Sequence, residues 1–130
     1  MKISKVVVAA AVLALSGCLS PKTSGVVVQN GRLYVEDPAF ATNIEIVQDA
    51  KEVTPEGFLH VQVMLKNTNR RDFPCQFRFQ WVTLDGLLQN HAETPWRPAI
   101  IHGRDTIILN AVSPLQGSND FRLVLRRAQD

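Results

Sequence analysis

From residue 26 onward, apolar and polar residues alternate along much of the chain with a period of two. Residues 58–66 read FLHVQVMLK and residues 75–83 read CQFRFQWVT, so each run has one apolar and one polar face. This is the period of a β-strand with one buried face, whereas an amphipathic helix would repeat every 3.6 residues. The alternation predicts strands at residues 32–36, 43–48, 58–66, 75–83, 96–102, 104–111 and 121–127.

Turn-forming residues separate the predicted strands. Asp85-Gly86 predicts a tight hairpin turn, because glycine accepts a positive φ at little cost. Pro98 predicts an edge strand, because proline has no N–H to donate to a neighbouring strand. We therefore predict an all-β fold, an antiparallel two-layer β-sandwich, for which an immunoglobulin-like arrangement is one candidate. A small β-barrel is the alternative.

The first residues have the layout of a secretory signal peptide. Lys2 and Lys5 supply positive charge, residues 6–15 contain no polar side chain, and the small pair Ser16-Gly17 precedes Cys18. A membrane-spanning helix needs about 20 consecutive apolar residues, and this run is about half that length. The layout predicts an N-terminal segment that is removed after export.

Leu15-Ser16-Gly17-Cys18 resembles the bacterial lipobox, in which a peptidase cleaves just before a lipidated cysteine. We predict cleavage between Gly17 and Cys18 and lipid attachment at Cys18, with a diacylglycerol on the thiol and a further acyl chain, such as palmitate, on the freed amine. Two or three acyl chains hold a protein at a membrane almost irreversibly. The predicted division is a signal peptide at 1–17, the lipidated cysteine and a short tether at 18–25, and the β-sandwich domain at 26–130.

The residues after cleavage bear on location and partners. Leu19 follows Cys18, whereas an Asp there resembles an inner-membrane retention signal, so we predict the outer membrane, with the domain facing the periplasm. The chain has 14 Lys and Arg and 12 Asp and Glu, and removing Lys2 and Lys5 leaves 12 of each, a net charge of zero. A neutral chain argues against nucleic-acid binding and against electrostatic attachment to anionic lipid.

The residues with reactive side chains form no recognisable catalytic, cofactor or metal motif. His60, His91 and His102 are widely spaced, which does not fit the short ligand spacings of zinc sites, so no metal is expected. His91 with Glu93 is the one conceivable acid–base pair, and it leaves a small envelope hydrolase as an alternative function. Cys75 shares a strand face with aromatic residues, which favours a buried free thiol over a reactive thiol or an intermolecular disulfide.

Two surface features are candidates for binding a partner. Trp96 and Arg97 stand together, and an exposed tryptophan beside an arginine is a common binding hot spot, although Trp96 could instead cap the open end of the sandwich. Arg78, Arg122 and Arg126 are expected to form an outward basic stripe, for which neighbouring acidic residues favour a solvated surface.

Several spaced features occur together between residues 43 and 127. They are Phe77-Arg78-Phe79-Gln80-Trp81, Asp85-Gly86, Trp96, Gly103, Ser113-Pro114 and Asp120-Phe121-Arg122-Leu123. This set resembles the YcfL-type family of small bacterial lipoproteins, and the resemblance implies a β-sandwich on a lipid anchor, with no reaction assigned.

These observations favour a membrane-anchored, non-enzymatic binding or accessory module of the cell envelope. Its expected partner is an envelope protein or peptidoglycan, and no cofactor is expected. A purely structural envelope lipoprotein is the remaining alternative.

Overall fold

The computed structural model describes residues 25–88 and 94–129, and this part of the chain forms seven β-strands. Each predicted run overlaps one of them. The bounds of most strands differ by one to three residues, and β2 continues furthest beyond its predicted end because its residues pair with β3 as far as Val53. No helix in the described ranges is long and apolar enough to cross a membrane. The strands are β1 (Leu33–Val35), β2 (Ile44–Val53), β3 (Leu59–Asn67), β4 (Phe73–Thr83), β5 (Arg97–Ile101), β6 (Thr106–Val112) and β7 (Ser118–Arg127).

The strands form two sheets packed face to face, which confirms the predicted β-sandwich. One sheet has four strands in the order β1-β7-β4-β5, and the other has three in the order β2-β3-β6. The barrel alternative is wrong, because no strand pairing among the described residues joins the two sheets. β5 is an edge strand, as Pro98 predicted. The sheets are not wholly antiparallel, because β1 pairs with β7 in parallel.

The core between the sheets is built from the apolar faces of the alternating strands. On β4 the side chains of Cys75, Phe77, Phe79 and Trp81 are buried, and the rings of Phe79 and Trp81 stack with centroids 5.7 Å apart. β7, the neighbour of β4 in the same sheet, adds Phe121 and two leucines to this layer, and β3 covers it from the other sheet with aliphatic side chains. The core residues of β3 and β7 are Leu59, Val61, Val63, Leu65, Phe121, Leu123 and Leu125.

A network of charged side chains joins the two sheets along the edge formed by β1 and β2. Arg32 donates to Asp49 of β2 at 2.9 Å and to Asp120 of β7 at 3.2 Å, and Lys51 lies 3.4 Å from Asp120. Burial disfavours the charged form of Asp120. The hydrogen bond from the Phe121 amide and the charges of Arg32 and Lys51 outweigh burial, so the pKa of Asp120 lies below its ordinary value.

Asn67, at the end of β3, organises the turns at one end of the sandwich. Its side chain is fully buried and donates to the carbonyl oxygens of Arg71 and Ile101, both at 2.9 Å, while its own oxygen accepts from the Asn69 amide at 2.9 Å. These bonds satisfy backbone groups that β-pairing leaves without partners.

We expect Asn67→Ala to destabilise the domain, because truncation leaves buried carbonyl and amide groups without partners, at about 1–3 kcal/mol for each such group. Thermal unfolding followed by circular dichroism measures the effect. Asn110→Ala is the matched control, because Asn110 is an exposed residue of β6, and its melting temperature should stay near that of the parent protein. Equal melting temperatures for both variants would contradict the role assigned to Asn67.

Candidate functional site

The polar faces of β4 and β7 bring three arginines together on the outer surface of the four-stranded sheet. Since successive side chains of a strand point to opposite faces, inward Phe77 and Phe79 place Arg78 outward. The antiparallel register sets Arg122 opposite Gln80 and Arg126 opposite Gln76. The predicted basic stripe of Arg78, Arg122 and Arg126 is therefore a real surface feature.

Two aromatic rings lie against these arginines. The guanidinium carbon of Arg78 lies 4.6 Å from the centroid of the Trp96 ring, and that of Arg126 lies 3.9 Å from the same centroid. The guanidinium carbon of Arg122 lies 4.7 Å from the centroid of the Tyr34 ring on β1. We call the surface formed by these five residues the arginine–aromatic face.

Stacking fixes the guanidinium groups while leaving donors at their edges. The two centroid distances on Trp96 put the guanidinium carbons of Arg78 and Arg126 at most 8.5 Å apart, since 4.6 and 3.9 Å sum to that value. Arg126 also donates from Nε to Oε1 of Gln76 at 2.8 Å, which orients its remaining N–H groups. A fixed guanidinium fork matches the two oxygens of a carboxylate or phosphate. The arrangement is therefore suited to binding an oxyanion beside an apolar group.

An open groove of about 440 Å³ runs across this face. Glu36, just after β1, contributes the acidic side chain of its lining. Within residues 25–88 and 94–129, the contacts recorded for the Arg122 and Arg126 side chains are with rings and with Gln76, not with carboxylates. Arg122 and Arg126 therefore have no ion pair with a carboxylate in this part of the chain, although Glu36 lies in the same groove. The expectation of an ordinary solvated surface stays a prediction. The lining residues are Val26, Tyr34, Glu36, Arg78, Gln80, Arg122 and Val124.

Trp96 and Arg97, predicted together as a partner contact, point to opposite sides of the four-stranded sheet. Trp96 is half-buried on the arginine–aromatic face, so it does not cap the open end of the sandwich. The guanidinium carbon of Arg97 lies 5.0 Å from the ring centroid of inward-facing Phe77. Arg97 also donates a hydrogen bond to the carbonyl oxygen of Asn110 on β6 at 3.4 Å. Arg97 therefore bridges the two sheets at their β5–β6 edge, and only Trp96 belongs to the candidate site.

Tyr34 is the member of the site that the sequence did not reveal. It sits in a three-residue strand and is 88 positions from Arg122, on which it stacks only because β1 pairs with β7. The alternation of residues 32–36 marked Tyr34 as opposite in direction to its neighbours Leu33 and Val35, which are buried. Nothing in that short run indicated that Tyr34 would contact Arg122.

The other candidate reactive groups are dispersed. His102 Nδ1 lies 3.3 Å from Oδ2 of Asp72, and the hydrogen bond from the Gly103 amide, together with His102, holds the pKa of Asp72 below its ordinary value. His60 lies 3.8 Å from Glu52. The described ranges contain no group of three potential metal ligands among His, Cys, Asp and Glu.

Several predicted residues lie outside the described ranges. These are the cleavage and lipidation residues Gly17 and Cys18, and the acid–base candidates His91 and Glu93. The predictions made for them remain predictions.

Cys75 is a buried free thiol, as predicted. It is 1% exposed, between the sheets, and burial raises its pKa to about 12 because a thiolate there would lose its hydration. A thiol with such a pKa is almost wholly protonated at neutral pH and is a poor nucleophile.

We expect Cys75 to resist alkylation by iodoacetamide in the folded protein and to react fully after unfolding in guanidinium chloride. The measurement uses a Cys18→Ser chain, in which Cys75 is the sole cysteine because the sequence contains two. Mass spectrometry of the intact protein counts the adducts. Rapid labelling of the native chain, or a thiol-sensitive dimer on a non-reducing gel, would contradict this assignment.

The fold and the candidate site define a class, a small β-sandwich domain with an arginine–aromatic face on one sheet. The chain belongs to the family described as "Protein of unknown function (DUF1425)", whose model matches residues 31–127. That match spans all seven strands and every member of the arginine–aromatic face. No curated protein matches the chain.

Two crystal structures are similar in fold. A DUF1425 family member from Shewanella sp. pv-4 superposes with a TM-score of 0.58 at 18% identity, covering 81% of this chain and 97% of its own. Campylobacter jejuni cj0090 superposes with a TM-score of 0.55 at 21% identity, covering 64% of this chain and 85% of its own. At these identities the likeness concerns the fold.

Proposed function

We propose that this chain is a membrane-anchored, YcfL-like lipoprotein of the bacterial cell envelope whose β-sandwich is a non-enzymatic binding module. The arginine–aromatic face carries the proposal. Its guanidinium groups are already held in place by Trp96, Tyr34 and Gln76, so a ligand would not have to supply the free energy of ordering those long side chains.

The composition of this face is that of a recognition surface. Arginine, tryptophan and tyrosine are the residues enriched at binding hot spots, because each combines a large contact area with directional polar groups. The face draws on β1, β4 and β7 and on the residue before β5, so rigid strands hold most of its members. A surface built in this way serves binding without requiring any chemical step.

The proposed location rests on the N-terminal sequence. The charged start, the apolar run and Leu15-Ser16-Gly17-Cys18 support export, cleavage before Cys18 and lipidation. Leu19 supports transfer to the outer membrane, where the domain would face the periplasm. The anchor would then hold the binding module close to one bilayer.

We expect Cys18→Ser to abolish acylation, so that the protein is no longer labelled by a palmitate analogue and no longer fractionates with membranes as a processed lipoprotein. Cys75→Ser is the matched control. It changes the other cysteine in the same way and should leave labelling and membrane fractionation intact. Metabolic labelling followed by membrane fractionation measures both. A processed, lipid-labelled Cys18→Ser protein would refute the anchor.

The binding role is tested by photo-crosslinking in intact cells from two matched glutamine positions. Gln80 lines the groove of the arginine–aromatic face, and Gln62 is exposed on β3 in the opposite sheet. A photoreactive amino acid in place of Gln80 should give specific adducts, and one in place of Gln62 should give few, because only the first position adjoins the proposed binding surface. Equal yields from both positions would contradict a binding role for this face.

A further inference from the structure

The point at which the chain enters the domain is fixed beside the arginine–aromatic face. Gly25 has a φ of +83°, and a Cβ there would lie 2.7 Å from the carbonyl oxygen of Glu36 and from the nitrogen of Pro38, so glycine is required for the close approach. The next residue, Val26, lines the groove together with Arg78 and Arg122. Gln29 then pins the segment to β2 by bonds to Ile44 and Ile46, both at 2.9 Å.

This entry point limits how the domain can be oriented on a membrane. If Cys18 carries the lipid, six residues separate the anchor from Gly25, and the seven residue-to-residue steps from Cys18 to Gly25 span at most about 25 Å when fully extended. To present the three-stranded sheet to the bilayer, the tether would have to cross the thickness of the sandwich. That thickness is about 10 Å between the two sheets, plus the outer side chains of each sheet, and it would use up much of the length of the tether. The arginine–aromatic face can reach the bilayer without that detour.

The structure also segregates charge that the neutral composition conceals. The strands of the four-stranded sheet carry five arginines, including Arg78, Arg122 and Arg126, and one acidic residue, whereas those of the other sheet carry three acidic residues and two lysines. Glu36 is the acidic residue that lines the groove beside these arginines. Trp96 and Tyr34 accompany the arginines, and Val26 and Ile100, 43% and 52% exposed, add apolar surface nearby. Arginine beside tryptophan and tyrosine suits the headgroup layer of a membrane, where amphipathic rings and cations both find partners.

We propose that the arginine–aromatic face binds the phosphate groups of anionic lipid headgroups in the membrane that holds the anchor. This deepens the proposed function and rests on it, because the lipid on Cys18 brings the face to the bilayer. The guanidinium groups of Arg122 and Arg126 contact phosphate oxygens, and the Trp96 ring lies at headgroup depth. The sandwich is thereby held in one orientation rather than turning freely on its tether.

The test uses the acylated full-length protein reconstituted into vesicles of pure phosphatidylcholine or of phosphatidylcholine with phosphatidylglycerol. The chain contains two tryptophans, and Trp81 is 1% exposed, so a Trp96→Phe variant gives the constant emission of Trp81 to be subtracted. In anionic vesicles we expect a blue shift of Trp96, quenching by a headgroup spin label and protection from the neutral quencher acrylamide. All three effects should be weaker in phosphatidylcholine and should diminish at high salt.

Two single substitutions remove one positive charge each from opposite faces. Arg122→Gln should reduce headgroup quenching of Trp96 in anionic vesicles toward the phosphatidylcholine level. Lys66→Gln, on β3 of the other sheet, should leave that quenching unchanged. Equal effects of the two substitutions would reduce the proposal to nonspecific charge attraction and overturn it.

Flotation separates failure of this inference from failure of the proposed function. Protein that floats with both kinds of vesicle, but whose Trp96 has the same acrylamide accessibility in both, is anchored without recognising anionic headgroups, which overturns the inference alone. Protein that floats with neither lacks the anchor, and both proposals fail.

Soluble anions distinguish the source of the oxyanion. Inorganic phosphate and polyglutamate are added to the protein in phosphatidylcholine vesicles, and the Trp96 emission is followed. A response to polyglutamate, with none to phosphatidylglycerol, would assign the face to an acidic protein partner and overturn the lipid assignment. A response to inorganic phosphate as large as that to phosphatidylglycerol would do the same in favour of a free anion.

Discussion

The alternation of side chains along β4 is the constraint on which the rest of the structure depends. β4 lies between β7 and β5 in its sheet, and its inward residues supply the aromatic part of the core, including Phe77, Phe79 and Trp81. A shift of one residue in its register would bury Arg78 and expose these rings, at a cost of many kcal/mol in lost apolar burial. The core therefore sets the register, and the register in turn places the arginine on the outer face.

The same constraint acts on β7, and together the two strands create the arginine–aromatic face. Burial of Phe121, Leu123 and Leu125 sends Arg122 and Arg126 outward, beside the polar face of β4. The rings of Trp96 and Tyr34 then hold the guanidinium groups by cation–π contacts, each of which contributes about 0.5–1 kcal/mol at exposed sites. A surface that packing rules require to be polar has in this way become an ordered array of hydrogen-bond donors.

The sequence predicted the fold more completely than the site, for a physical reason. Side-chain direction within a strand is a local property, so alternation located every strand, the outward arginines and the buried thiol of Cys75. Pairings between strands distant in the chain are not local, and neither the parallel β1–β7 pair nor the stacking of Tyr34 on Arg122 could be inferred from spacing. For Trp96 and Arg97 the pairing of β5 decided the outcome, because it assigned the two neighbours to opposite sides of one sheet.

By itself, the sequence determined which residues point inward and which outward, because that depends only on a period of two within each run. It also determined the net charge of the chain after residue 17, which is zero. Only the tertiary structure decided how that charge is distributed, because strand order and register gather Arg78, Arg122 and Arg126 on one sheet while Glu45 and Glu52 lie on the other. Neutrality is a sum over residues, whereas an electrostatic surface depends on where the fold places them.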